Sequence, residues 1–235
     1  NGETLVADIF VNAAGPFAGA IAAMVGEDLP LKNYLQQKIA FEDKAGAIPR
    51  HMPFTIDMDT ITLDWGEDAA LLAEDTELQW LTQEMPGVIH VRPEGGVNGT
   101  WLKMGWAFNQ TPTEPSYEPI LDPNYPDLVL RAASRLNPAL KVYLENLPRS
   151  RSHYGGYYTM TEENWPLIGS MGIENAYMAV GMSGFGTMAA PAAGELIASY
   201  VMGHDLPEYA EDLSLDRYKN NSLLSALKSL SAGVV

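Results

Sequence analysis

The stretch Tyr177–Ala198, YMAVGMSGFGTMAAPAAGELIA, joins an apolar strand-like run to a glycine loop, and the loop opens a helix rich in small residues. Strand, glycine turn and helix in that order mark an edge of an α/β layer. Free amides at such a helix start, with the positive end of its dipole, suit an anion or a polarised carbonyl. Gly184-Phe185-Gly186-Thr187-Met188-Ala189 also matches the relaxed dinucleotide fingerprint G-x-G-x-x-G/A. That fingerprint needs a second strand ending in an acidic residue soon after the helix, whereas His204-Asp205-Leu206-Pro207-Glu208 and then polar chain follow. The plain alternative is a glycine turn that lets a helix pack tightly on a sheet. The uncharged run Ala176–Gly194 has the length of a membrane span. Gly181, Gly184, Gly186, Pro191 and Gly194 interrupt it, so a strand, a tight loop and a buried helix explain it better.

Working outward, a related pattern opens the chain. Thr4–Gly15, TLVADIFVNAAG, predicts a strand buried on both faces over Ala7–Ala14. A turn at Gly15-Pro16 and a small-residue helix over Phe17–Val25 follow. Between the two α/β edges lie short strand candidates at Gln36–Glu42, Phe54–Asp64, Val88–Pro93 and Thr100–Phe108, which predict an antiparallel sheet. An acidic helical insert is expected at Glu67–Gln83, and Thr111–Pro126, with five prolines, is expected to be a surface loop. Asp127–Leu147 reads as an amphipathic helix broken near Asn137-Pro138, Ser150–Thr161 as a strand, and Leu206–Val235 as a polar, weakly helical tail. The expected class is α+β: an α/β edge built from 1–30 and 150–205, an antiparallel sheet domain from 31–149, and a tail from 206–235.

Composition narrows the function. The 235 residues carry a formal charge of −16, are 46% hydrophobic and 19% charged, and include no cysteine. Such a chain can build a core and is not a disordered one. Nucleic acid is not an expected partner, because phosphate binding wants a basic stripe. Disulfides, thiolate catalysis, thiolate metal sites and sulfur-tethered cofactors are excluded. The chain starts at Asn1 without a basic-then-apolar leader, and a soluble, cytoplasmic protein is the expectation.

Two cations stand out. In Trp101-Leu102-Lys103-Met104-Gly105-Trp106-Ala107-Phe108, strand alternation puts Leu102, Met104, Trp106 and Phe108 on one face and Trp101, Lys103, Gly105 and Ala107 on the other. Lys103, between a tryptophan and a glycine, either lines a cavity or belongs to a solvated strand face. Arg92, in His90-Val91-Arg92-Pro93-Glu94, either clamps a carboxylate bidentately or pairs with Glu94. The four histidines, His51, His90, His153 and His204, show no metal-ligand spacing, and His153 reads as structural. No G-x-S-x-G, Walker loop or H-E-x-x-H occurs.

Four stretches together, VNAAGPFAG (Val11–Gly19), LKMGW (Leu102–Trp106), GGYYTMTEENWPLIG (Gly155–Gly169) and GMSGFGTMAAPAAGEL (Gly181–Leu196), resemble the C-terminal part of the FAD-dependent amine oxidoreductases of the D-amino-acid oxidase superfamily. Glycine oxidase, sarcosine oxidase and dimethylglycine dehydrogenase belong to it, and the resemblance runs from Ala7 to about Gly203. It implies a partial Rossmann-like FAD-binding domain with an inserted antiparallel substrate domain. It also implies hydride transfer from an amine or amino-acid C–H to flavin N5, with hydrolysis of the imine and reoxidation by oxygen or an electron carrier. Gly15 and Pro16 are then expected beside the cofactor, and Ser183, Gly184, Phe185, Gly186, Thr187 and Met188 along the pyrimidine edge of the flavin. Tyr158 is expected to face the substrate, and Lys103 matches a lysine placed over N5 in sarcosine-oxidase-like members.

The departures shape the expectation. Gly156 stands where a sarcosine oxidase has its flavin-linking cysteine, which implies non-covalent FAD. Met188 and Phe185 replace a carboxylate-holding lysine and a loop histidine, and Tyr158 stands where glycine oxidase has an arginine. A bulkier or less polar amine, or a carboxylate anchor elsewhere such as Arg92, then fits better than a small amino acid. The N-terminal G-x-G-x-x-G of the family is not found, so the chain reads as a truncated C-terminal portion that alone binds FAD weakly or not at all. Expected partners are a small amine or amino acid and a chain carrying the flavin-binding half; a half-built edge at Val6–Ala14 predicts pairing or homo-oligomers. The alternative is a non-catalytic subunit or binding module that keeps the fold without the cofactor half.

Overall fold

Period-two alternation in the strands and 3.6-residue periodicity in the helices produce an α+β fold. A computed structural model describes residues 2–230. In chain order its elements are β1 (Phe10–Asn12), α1 (Ala18–Met24), β2 (Lys32–Glu42), β3 (Thr55–Asp57), β4 (Ile61–Thr62), α2 (Ala69–Glu74), β5 (Glu84–Met85) and β6 (Ile89–Glu94). There follow β7 (Trp101–Trp106), α3 (Tyr125–Leu136), β8 (Arg151–Met160), β9 (Leu167–Ser170), β10 (Ala176–Val180), α4 (Gly186–Met202), α5 (Ala210–Leu213) and α6 (Asn221–Leu230). The chain divides into two compact units, the first from 2–35, 111–117 and 157–230, the second from 36–110 and 118–156. The divisions fall inside β2 and β8. The segment 111–117 and the tail belong to the first unit.

The first unit is a three-layer stack. Its sheet runs β1-β10-β9, with β1 parallel and β9 antiparallel to β10. Ala176, Met178 and Val180 turn one face of β10 to Ala18 and Ala22 of α1, while Tyr177 and Ala179 on the other face pack with Ala193, Leu196 and Ile197 of α4. The opening strand corrects the expectation of burial on both faces over Ala7–Ala14. Only Phe10–Asn12 is strand, Phe10 and Val11 are exposed, and Leu5 and Val6 before them are 91% and 94% exposed. The apolar run lacks neighbours because β1 bonds β10 along one edge and, among the described residues, no strand lies on its other edge.

The second unit is a sheet covered by a helix. Its strands run β3-β6-β7-β2-β8, and β7 is antiparallel to both neighbours, with Met104 opposite Val91 and Ile39. Ile39, Phe41, Ile89, Val91, Leu102, Met104 and Trp106 form one core with Leu128, Val129 and Leu130 of α3. The phenol of Tyr125, in the first turn of α3, accepts the Trp106 amide proton at 2.7 Å and bonds the Gln37 carbonyl. Pro138 carries no amide proton and disfavours a helical residue before it, so α3 stops at Leu136 and a 3-10 segment, Pro138–Tyr143, follows.

Two predicted elements are broken by aspartates whose side chains bond nearby amides. Phe54–Asp64 splits into β3 and β4, with Asp57 Oδ1 accepting from Asp59 N at 3.2 Å. The acidic insert is helical only over Gly66–Asp68, Ala69–Glu74 and Gln79–Thr82, with Asp75 Oδ1 accepting from Glu77 N at 2.8 Å. No described helix is long and apolar enough to cross a membrane.

A buried ion pair fastens the tail of the first unit. Arg217 and Glu163 are both buried and paired, with Arg217 Nε donating to Glu163 Oε1 at 2.7 Å. The guanidinium also donates to the carbonyls of Pro166 (2.6 Å), Trp165 (2.9 Å) and Asp212 (3.1 Å). Tyr218 donates to the same carboxylate oxygen at 2.7 Å; burial first, and that bond second, push its phenol up to about 12. Arg217→Met leaves a carboxylate buried without its cation, and the expected loss is about 3–5 kcal/mol in urea unfolding. An unchanged midpoint would show that the pair holds nothing.

Candidate functional site

In the first unit the glycine loop after β10 is shaped by backbone conformations that few residues adopt. Gly181 and Ser183 have φ of 71° and 51°, the latter in the left-handed region that a serine rarely enters. Phe185 stands at the start of α4 and no side chain caps that helix. The amides of Gly184, Gly186 and Thr187 therefore have no acceptor among the described residues. Ser183 Oγ is buried without a partner. Because β1 and β10 are parallel, this loop and the Gly15-Pro16 turn leave the sheet at the same end, the carboxyl end where open α/β sheets take ligands. Gly15 has φ of 56°, and the space where a side chain would start is open.

One side chain links these segments. Asn33 donates from Nδ2 to the Pro16 carbonyl at 2.9 Å and accepts at Oδ1 from the Thr159 hydroxyl at 2.7 Å. The Thr159 carbonyl in turn accepts the Ser183 amide proton at 3.0 Å. A continuous path thus ties the Gly15-Pro16 turn, the strand carrying Tyr158 and the loop Ser183–Met188. Tyr158 is half-buried, and burial pushes its phenol up. Phe185 and Met188 keep exposed side chains. Asn33 and Thr159 carry no motif; each is a polar residue in a strand, and only the fold shows that they meet.

In the second unit, Lys103 and Arg92 are register neighbours on the sheet face away from α3. Arg92 Nη2 lies 2.9 Å and Lys103 Nζ 4.0 Å from Glu94 Oε2, and Lys103 stands 5.8 Å from the centre of the Tyr154 ring. The next row aligns Lys38, Gly105 and His90. A Cβ at Gly105 would lie 2.6 Å from His90 Nε2, so the glycine makes room for the imidazole. His90 is only 8% exposed, and burial, then the Lys38 charge, push its ring down to about 4. His90 and Lys38 are site neighbours that sequence reading missed; the small residue at Gly105, opposite both, was the available signal. His153 bonds Gln37 at 2.9 Å and stacks on Tyr125, as a structural histidine does. Gly156 has open space where a side chain would start, and no thiol is there to link a flavin. No metal-binding group of three or more His, Cys, Asp or Glu occurs among the described residues.

The first-unit features fit the flavin that the resemblance implies. Uncapped amides on a 17-residue helix favour an electron-rich edge, the buried Ser183 hydroxyl is without a partner, and Gly15 leaves its turn open.

The profile of the DAO family, FAD dependent oxidoreductase, matches residues 1–200. No curated protein sequence matches. Among solved structures, L-proline dehydrogenase from P. horikoshii is 23% identical over 90% of this chain and 47% of its own, with a TM-score of 0.60. Glycine oxidase from Geobacillus kaustophilus is 18% identical over 92% of this chain and 47% of its own, also with a TM-score of 0.60. Iminodiacetate oxidase from Chelativorans sp. BNC1 is 18% identical over 91% and 47%, again with a TM-score of 0.60. At these identities the likeness is one of fold, and the chain spans about half the length of each.

Two outcomes follow from the geometry. Asn33→Ala leaves the Pro16 carbonyl and the Thr159 hydroxyl unpaired; a stability loss of about 1–3 kcal/mol and faster hydrogen exchange at the Ser183 amide are expected. His90 titrates at about 4 in the folded chain against an ordinary 6.5, so the unfolded chain binds more protons between those values. Its contribution is full above about pH 6.5 and is lost as pH falls toward 4, an effect of order 3 kcal/mol. The pH slope of urea stability is therefore expected to be shallower in His90→Gln than in the parent, and equal slopes would remove the assignment.

Proposed function

The chain belongs to the DAO family of FAD-dependent oxidoreductases, and we propose that it forms the catalytic-edge and substrate-side portion of an enzyme that oxidises amines or amino acids. The observation that carries this reading is the bonded path Pro16–Asn33–Thr159–Ser183, which holds an uncapped helix start and an open glycine turn at one end of a parallel strand pair. Gly15, Pro16 and Ser183–Met188 would hold FAD non-covalently. The chemistry that a bound FAD supplies is acceptance of a hydride from the carbon beside an amine nitrogen. The free amides of Gly184, Gly186 and Thr187 stabilise negative charge without reorganising, since the helix fixes their direction. Lys103 supplies a fixed cation that favours oxygen as electron acceptor. Tyr158 and Arg92 orient the substrate, Tyr158 through a phenol that burial keeps protonated and Arg92 as a carboxylate clamp.

The whole protein's flavin site would include a further segment carrying G-x-G-x-x-G, in the same polypeptide or on a partner chain. The free edge of β1, with exposed Phe10 and Val11, supports that reading because unpaired backbone groups there suit another strand.

The visible spectrum of the purified chain, alone and with FAD, is the first test. A flavin band perturbed from that of free FAD, with the chain alone or once a G-x-G-x-x-G partner is supplied, is the expected result. A free-flavin spectrum under both conditions overturns the proposal. In the flavin-loaded protein, Lys103→Met is expected to slow reoxidation by oxygen about 10²-fold while sparing reduction by substrate; equal reoxidation rates would remove the role given to Lys103.

A further inference from the structure

The face of the second unit's sheet turned away from α3 gathers more positive charge than it answers. Lys38 on β2, Lys103 on β7 and Arg92 on β6 occupy two adjoining rows, Lys38–Gly105–His90 and Ala40–Lys103–Arg92. Glu94 is the one carboxylate within ion-pair reach of this group among the described residues, at 2.9 Å from Arg92 and 4.0 Å from Lys103. Lys38 has no ion pair among the described residues. It is half-buried, and the charges that bear on it are Lys103 and Arg92, both positive; burial first, and then those two, lower its pKa. The chain as a whole is acidic, at −16, so like charges gathered here are a local feature. His90, nearly buried, has an Nε2 without a partner and lies against Gly105, which the Lys38 stem also approaches. It is neutral at physiological pH and adds nothing to the charge.

We propose that this face binds the acidic groups of a dicarboxylate amine, with Lys38 and Arg92 as the residues that select the second carboxylate. Glu42, in the same row as Glu94, pairs with Lys44, so the three cations face one carboxylate and keep a surplus of two positive charges. An amine whose skeleton carries two carboxylates, with its nitrogen neutral as hydride loss requires, brings two negative charges. Arg92 offers a planar fork to one oxygen pair, and Lys38 a point charge in a partly dry place where an anion gains most. Tyr154 beside Lys103 and Phe54 at 5.3 Å from the His90 ring give the face aromatic borders. The inference rests on the amine-oxidising reading above and names its substrate class.

The test is chemical footprinting of the flavin-free chain. Lysines are reductively methylated at pH 7.5 in succinate, in acetate and in chloride at matched ionic strength, with the exposed Lys219 as reference. Succinate is expected to slow Lys38 methylation at least about threefold by mass action, with acetate and chloride giving no such protection and Lys219 unchanged. Arg92→Gln is expected to bring protection by succinate down to the acetate level. Equal protection by acetate and succinate, no protection, or full protection in Arg92→Gln each overturns the inference. Should Arg92→Gln not fold, the comparison of anions on the parent chain decides alone. Because no flavin is present, a negative result leaves the oxidoreductase reading intact. Protection by succinate in a chain that never perturbs FAD leaves the dianion site standing and removes its reaction.

Discussion

The side chain of Asn33 is the constraint on which the carboxyl end of the first unit's sheet depends. A primary amide both donates and accepts, so one residue satisfies the Pro16 carbonyl and the Thr159 hydroxyl at once. A carboxylate at this position would set an acceptor against the Pro16 carbonyl, and an aliphatic residue would leave both groups without a partner. The Thr159 carbonyl then fixes the Ser183 amide, which holds a non-glycine residue at positive φ. That conformation costs about 1–3 kcal/mol and persists because the surroundings determine it. With the loop so pinned, α4 starts without a cap and its first amides stay available.

In the second unit the governing constraint is the alternation of β7. Leu102, Met104 and Trp106 share one core with the neighbouring strands and α3, so a slip of one residue would expose them and bury Lys103. Gly105 extends this logic to the other face, where the absent side chain is the volume that His90 occupies. Desolvation keeps that imidazole neutral beside three cations. The face is therefore polar and short of negative charge.

These features differ in how far they could be read from sequence. The direction of Lys103 was legible because alternation is a local property of Trp101–Trp106. The start of α4 was legible because glycines and small residues change the pattern abruptly there. Burial of the opening strand was misread, because an apolar run reports only what a strand is able to bury; its neighbours decide the rest. Asn33 and Thr159 are 126 residues apart, and Glu163 and Arg217 are 54 apart. Such contacts leave no periodic trace in one sequence. The side-chain turns at Asp57 and Asp75 are local, but they compete with strand and helix propensities of similar size.

Both polar networks of the first unit converge on one short stretch, Thr159–Trp165. Thr159 reaches Asn33 and the glycine loop; Thr161 Oγ1 donates to the Trp165 carbonyl at 2.7 Å; Glu163 holds Arg217. The two networks use different chemistry for a physical reason. At the glycine loop the link is a neutral amide, which adds no charge beside the uncapped amides of α4. Where the tail must be fastened, the link is an ion pair whose guanidinium gathers three backbone carbonyls that the irregular 161–166 turn and the end of α5 leave over. Arg217→Met and Asn33→Ala therefore break different things: the first leaves a buried carboxylate unpaired beside the turn, while the second releases the loop and keeps that turn intact. Thr159 lies at the end of β8 and Thr161 opens the turn that follows, so one short stretch serves both networks.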